Sequence, residues 1–194
     1  EVLKSKLPVG SSAKIKSVSA INALAIDTSS VGGNLTLVSG HVNGITDDGN
    51  VTVGGNFTAT TDANSGAISL GTMLVDGTVS LNTNGTGDAT IVNDNGLEFT
   101  TSDVNGDLSA TATAGSITQS GNLEVALTSS FTTSATNATI TLNTNTNNLA
   151  GGVTLSTTGS TGHATIDNHT NALEIDPSSV GGNLTLVSGH VNGI

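Results

Sequence analysis

The sequence predicts an all-β fold, a parallel β-helix or β-solenoid with three short strands in each rung of roughly 22 residues and about seven rungs. Three observations predict it. A long segment occurs twice, a shorter apolar pattern recurs at near-constant spacing, and the apolar residues inside each segment alternate with polar ones.

The long repeat is nearly identical in its two occurrences. Residues 22–45 read NALAIDTSSVGGNLTLVSGHVNGI and residues 171–194 read NALEIDPSSVGGNLTLVSGHVNGI, an offset of 149 residues with differences only at positions 25 and 28 of the first copy. Such closeness points to tandem duplication. It divides the chain into an N-terminal segment, 1–21, holding the lysines and an incomplete first rung, and a repetitive region, 22–194, that restarts at 171.

Inside the long repeat lies a finer one, aliphatic-x-x-x-apolar-Thr/Ser-x. It appears as VGGNLTL, VGGNFTA, VDGTVSL, VNGDLSA, LTSSFTT, LAGGVTL and VGGNLTL. The central apolar residue is Leu35, Phe57, Val79, Leu108, Phe131, Val153 and Leu184, at spacings of 22, 22, 29, 23, 22 and 31. An isoleucine follows each one: Ile45, Ile68, Ile91, Ile117, Ile140, Ile166 and Ile194. A third apolar pair closes several units, as in Leu24/Ile26, Met73/Val75, Leu97/Phe99, Leu123/Val125 and Leu173/Ile175.

Within these segments the alternation has period two, the pattern of a strand rather than a helix. Clusters of Gly, Asn and Asp separate them and suit tight corners. The expectation is two straight interior ladders, one of central residues and one of isoleucines. Burying each side chain is worth ~1.5–3 kcal/mol gross, opposed by ordering entropy of similar total size. A single unit would not fold, but the stack would. Rungs about 4.8 Å apart give seven rungs a length of roughly 34 Å. The extra residues of the two long units, around 82–103 and 156–179, are expected as longer corners bulging from one edge.

Composition fits a solenoid better than an ordinary globule. Hydrophobic residues make up 35% but aromatics only 2%, so the core must be aliphatic. A mean hydropathy of +0.09 argues against a disordered polar chain. With no cysteine there are neither disulfides nor thiolate metal sites. No apolar run is long enough to span a membrane, and residues 1–10 lack the apolar core of a signal peptide, so an export signal is expected outside this sequence. Net charge is −11, and all four basic residues, Lys4, Lys6, Lys14 and Lys16, fall in the first 16 positions. The remaining acidic surface would repel phosphate backbones, which excludes nucleic acid as a partner.

Segments such as SSVGGNLTLVSG, AGSITQSGNLEV and TSSFTTSATNATITL resemble the shaft repeats of filamentous haemagglutinin-type adhesins over about residues 13–194. The resemblance implies a right-handed parallel β-helix exported across the bacterial outer membrane, commonly by two-partner secretion, and located outside the cell or at its surface. It also implies a structural shaft without catalysis, whose receptor or glycan is bound by regions outside this chain.

Site candidates are few. The outward row after the central residues, Thr36, Thr58, Ser80, Ser109, Thr132, Thr154 and Thr185, could form a hydroxyl face for glycan or ice. The row two positions further on, Val38, Thr60, Asn82, Thr111, Ser134, Ser156 and Val187, is not a regular second Thr row. Asp47 and Asp48 offer oxygen ligands for Ca²⁺ in a turn, but a solvated acidic turn is the favoured expectation. His41 and His190 are one position duplicated, and with His163 and His169 they are expected to be solvent-exposed turn residues rather than ligands.

No cofactor and no catalytic residue is expected. Residues 17–194 lack Lys, Arg, Trp and Tyr, and the Glu174/Asp176 pair is not repeated around Asp27, where Ala25 replaces the glutamate. The lysine cluster is read either as protection of an open solenoid end or as an assembly surface that docks on the acidic end of another copy. Self-association, or continuation of the same array, is the expected partnership. The competing readings are a shaft, a fibre subunit stacking head to tail, a glycan- or ice-binding face and, last, a carbohydrate-active enzyme.

Overall fold

The computed structural model describes residues 2–3, 11–17, 23–62, 64–144 and 146–194. Among them every secondary-structure element is a strand, and every strand pairing is parallel. The chain winds as a β-solenoid of about eight turns with ~22 residues per turn. The strands form a ten-stranded and a twelve-stranded sheet that share one core cluster of aliphatic residues with Phe57, Phe99 and Phe131. No helix of the described residues is long and apolar enough to cross a membrane.

A regular rung is unequal on its two sides. One side is a single five-residue strand such as Leu35–Ser39, in the twelve-stranded sheet. The other is a hinged pair of three-residue strands, Ile45–Asp47 and Val51–Val53, in the ten-stranded sheet. Inward residues of each are buried and outward ones are not, as in the alternation along Leu35–Ser39, so period-two patterning sets which side faces the core. Stacked parallel strands satisfy their backbone groups between rungs rather than within them.

The straight ladders expected from the spacing are corrected. Leu35, Phe57 and Val79 do lie in line. Beneath Val79, however, comes Phe99, while Leu108 lies in the other sheet between Ala89 and Ser129. Phe131 sits two residues further along that sheet, between Ala110 and Leu155, and Val153 pairs with Ser129. Leu184 returns to the twelve-stranded sheet, on Ala164.

The isoleucines behave likewise. Ile45 and Ile68 pair in the ten-stranded sheet, with Ile91 beside Leu70. Ile117 and Ile140 pair in the twelve-stranded sheet, and Ile166 stacks between Leu142 and Leu186. All of these side chains are buried except Leu184 (43% exposed) and Ile194 (64% exposed), which lie in the last rung.

The long units are not bulging corners. Their extra residues form in-line strands, Ala89–Asn93, Leu97–Phe99 and Ser102–Val104 in the first, and Ala164–Asp167 in the second. Each adds half a rung, which exchanges the two sides. The five-residue strand Thr78–Asn82 is followed in its own sheet by the hinged pair Leu97–Phe99 and Ser102–Val104. In the other sheet the eight-residue strand Ile68–Val75 is followed by the five-residue strands Ala89–Asn93 and Leu108–Ala112.

A second exchange occurs near residue 164. Seven strand pairings then lead from Leu35–Ser39 through Phe57–Thr61, Thr78–Asn82, Leu97–Phe99, Ile117–Gln119, Ile140–Leu142 and Ala164–Asp167 to Leu184–Val187. Six sequence units thus occupy seven rungs, and the long strand of the duplicated segment returns to the twelve-stranded sheet.

Candidate functional site: outward rows and copy junctions

Because a sheet exposes every second residue, its outer face is a set of rows running along the solenoid, one residue per rung. Thr36, Thr58 and Ser80 form such a row. Thr185 belongs to another, with Thr118, Thr141 and Thr165. On the ten-stranded sheet Thr46, Ser69, Thr90, Ser109, Ser130 and Thr154 follow one another.

Beside that row runs a second, Val92, Thr111, Thr132 and Ser156. This is not a regular threonine row, but its membership differs from the one expected, with Thr132 in place of Ser134. Thr132 stands next to Thr111, not Ser109, because Ser129 rather than Phe131 occupies the Leu108 position. Over three rungs the outer face is a paired hydroxyl grid, about 4.8 Å along the axis and about 6.6 Å across it.

Asp47 is already engaged. Its carboxylate accepts Gly71 N–H at 2.9 Å through Oδ1, and Thr72 N–H and Oγ1–H at 2.7 and 2.8 Å through Oδ2. It thereby holds the bend in the Ile68–Val75 strand of the next rung. Asp48 is exposed beside it. Among the described residues no three His, Asp or Glu side chains gather as a metal site.

His41 is buried rather than solvent-exposed, and it and His190 accept backbone N–H bonds at Nδ1 from Asn43 and Asn192. His163 does so from Asn183, at a corner between rungs. Asp103 and Glu124 are direct neighbours on adjacent strands, both exposed. Lys14 and Lys16 project from the Ala13–Ser17 strand and are exposed, aligned with Thr36 and Val38. Lys4 and Lys6 lie outside the described residues.

The side chains with the most specific geometry were not singled out by the sequence. Asn93 is fully buried, and its Oδ1 accepts Val75 N–H at 2.8 Å while its Nδ2 donates to Val75 O at 3.1 Å and Gly96 O at 2.6 Å. Asn168 does the same to Leu149, with Leu149 N–H to Oδ1 at 2.7 Å and Nδ2 to Leu149 O at 3.0 Å and Ala172 O at 2.6 Å.

Ser102 and Ser178 match each other too. Ser102 Oγ accepts Leu81 N–H at 3.1 Å and donates to Thr100 O at 3.0 Å. Ser178 Oγ accepts Leu155 N–H at 2.9 Å and donates to Asp176 O at 2.8 Å. Thr83 and Thr157 complete the correspondence, donating to Gly87 O and Gly162 O and accepting the N–H of Asn105 and Gly181. A shallow cleft of about 260 Å³ opens at the first of these places, lined in part by Asp76, Asn95 and Glu98.

A family described as repeats of unknown function (DUF5649) matches residues 13–82 and again residues 86–156. The chain belongs to this family. Neither the curated proteins nor the solved structures contain a match to it.

The DUF5649 boundaries coincide with the exchange of sides. The first copy contains four five-residue strands, Ala13–Ser17, Leu35–Ser39, Phe57–Thr61 and Thr78–Asn82, all in the twelve-stranded sheet. The second contains Ala89–Asn93, Leu108–Ala112, Ser129–Thr133 and Val153–Ser156, all in the ten-stranded sheet. A family copy is therefore a panel of four long strands on one sheet, and successive copies place that panel on alternate sheets. Thr83, Asn93 and Ser102 mark the junction after the first copy. Thr157, Asn168 and Ser178, 74–76 residues on, mark the junction after the second.

Proposed function

We propose that this chain is a length of structural shaft in a bacterial extracellular adhesin or fibre, a spacer without catalysis or cofactor. A repeat β-solenoid fits a structural repeat protein. The finer reading is carried by one observation: two near-identical 24-residue segments lie 149 residues apart, and their matching strands, beginning at Leu35 and Leu184, lie in the same sheet seven strand pairings apart. A unit that returns to its starting sheet can be added again without a seam, which is what a shaft of adjustable length requires. An outer face of Thr, Ser, Asn and Asp, with an acidic balance, suits a stalk that stays soluble and does not adhere along its length.

The test is a chain carrying one further in-frame 149-residue period, compared with the present chain by small-angle scattering and negative-stain microscopy. A shaft lengthens by about 34 Å, seven rungs at ~4.8 Å, at constant cross-section. A thicker particle or an aggregate would sink the reading. Surface location is tested separately, by protease shaving of intact producing cells.

A second reading is favoured by the paired hydroxyl rows at Ser109/Thr111, Ser130/Thr132 and Thr154/Ser156. In it the ten-stranded face lies against a regular polysaccharide or an ice surface. Co-sedimentation with insoluble glycans and an ice-recrystallisation assay, each repeated with Thr111→Lys and Thr132→Lys, decide it. Binding lost in both variants supports the face, and no binding by the native chain removes it.

A further inference from the structure

We propose that the buried asparagine and the hinge serine at each junction form a docking code, by which one family copy accepts the preceding copy with a half-turn rather than in line. The argument begins from a backbone deficit. When the sides exchange, the hinged strand that ends the preceding rung, at Val75 or at Leu149, loses the strand that would have continued beneath it. A buried peptide group without partners is costly.

At both junctions a carboxamide, the one side-chain group that copies a peptide's paired donor and acceptor, supplies what the missing strand would have supplied. Asn93 binds both the N–H and C=O of Val75, and Asn168 both those of Leu149. On the other sheet the deficit is the converse. A continuous long strand meets a pair broken at its hinge, so one N–H of the long strand faces a gap. Ser102 and Ser178 fill that gap for Leu81 and Leu155.

Within a copy the residue matching Asn93 in its strand is Ala112 or Thr133, neither of which carries a carboxamide. The carboxamide thus occurs where a panel opens on a new sheet. The occupant this surface accepts is another copy of the same repeat, rotated by half a rung.

Two readouts on the full 194-residue chain test the code. The first is hydrogen exchange at the Val75 amide. The second is a register cross-link, unambiguous because the chain has no cysteine. Thr78→Cys with Glu98→Cys are outward neighbours across the junction in the half-turned arrangement, about 4.8 Å apart along the ladder and within disulfide reach. Ser80→Cys with Ser109→Cys would meet only if the second copy stacked in line.

In the native background the first pair is expected to close and the second not. Combining Asn93→Val with Ser102→Ala is expected to speed Val75 exchange about 10- to 100-fold and to lower the first cross-link at least about fivefold. Asn93→Ser, the residue found at this place in the first copy as Ser17, decides the matter if the double variant unfolds. It should show the exchange effect with the fold intact. Native exchange at Val75 together with an undiminished Thr78/Glu98 cross-link, in whichever variant folds, would overturn the code.

Discussion

Gln119 and Asn147 clasp one another through a closed pair of amide hydrogen bonds, Gln119 Nε2 to Asn147 Oδ1 and Asn147 Nδ2 to Gln119 Oε1, each 2.8 Å. Asn147 is buried and also accepts Leu123 N–H at 3.0 Å and donates to Asp167 O at 3.0 Å. One side chain thereby ties three successive rungs.

Asn147→Leu should therefore cost about 2–4 kcal/mol, since it leaves several buried groups without partners. A double-mutant cycle with Gln119→Ala, read by denaturant unfolding, should give a coupling of at least about 1 kcal/mol. A coupling near zero would mean that the clasp is incidental.

Ser129 is the counter-example. It stands in an apolar line between Leu108 and Val153, and its buried hydroxyl has no hydrogen-bond partner. Removing that hydroxyl should help. Ser129→Ala is expected to raise stability by about 1 kcal/mol, and a loss of stability instead would reveal a partner for the hydroxyl.

Gly44 and Gly193 are the same residue of the duplicated segment, with φ of 69° and 67°. A Cβ on Gly44 would collide with the carbonyl oxygen of Ala67 in the next rung, whereas one on Gly193 meets nothing. Gly193→Ala should cost only the left-handed strain, about 1–2 kcal/mol. Gly44→Ala should cost clearly more, and equal effects would show that the inter-rung contact is loose.

The core ladder offers a similar contrast. Phe131→Ala opens a cavity among buried residues and should cost about 3–5 kcal/mol, whereas Leu184→Ala, 43% exposed, should cost less than about 1.5 kcal/mol. Thermal unfolding of the two variants side by side is sufficient to rank them.

Asp47, with both carboxylate oxygens occupied by Gly71 and Thr72, is expected to take no Ca²⁺. Millimolar Ca²⁺ or a chelator should leave the unfolding midpoint in place. A clear upward shift with Ca²⁺, abolished by Asp47→Asn, would restore the metal reading.

The solenoid was legible in the sequence because burial on one side demands period two, and stacking demands a constant rung length. The register was less so. Inside a strand, positions two apart face the same way, so sliding a unit by two residues conserves every inward and outward assignment. Matching apolar residues gave Leu127 the leading aliphatic position of its unit and aligned Phe131 with Leu108. In the structure Ser129 takes that position, Val125 is buried and Leu127 is 49% exposed.

The half-turn at residues 83–104 was hidden for another reason. A spacing of 29 reads naturally as one rung with a large corner, because nothing in apolar periodicity distinguishes a long loop from half a rung. The junction polar residues held the missing signal. Asn93 and Asn168 end matching ATIVN and ATIDN segments, but a buried carboxamide has the composition of an ordinary corner, and only its two bonds to Val75 or Leu149 set it apart.

The exchange of panels also bears on the form of a long array. A rung with a rigid five-residue strand on one side and a hinged pair on the other is lopsided, and a stack of such rungs would bow. Because each copy reverses the lopsidedness of the one before, as crossed plies do in laminated wood, curvature gained over one copy is returned over the next, and an even number of copies runs straight.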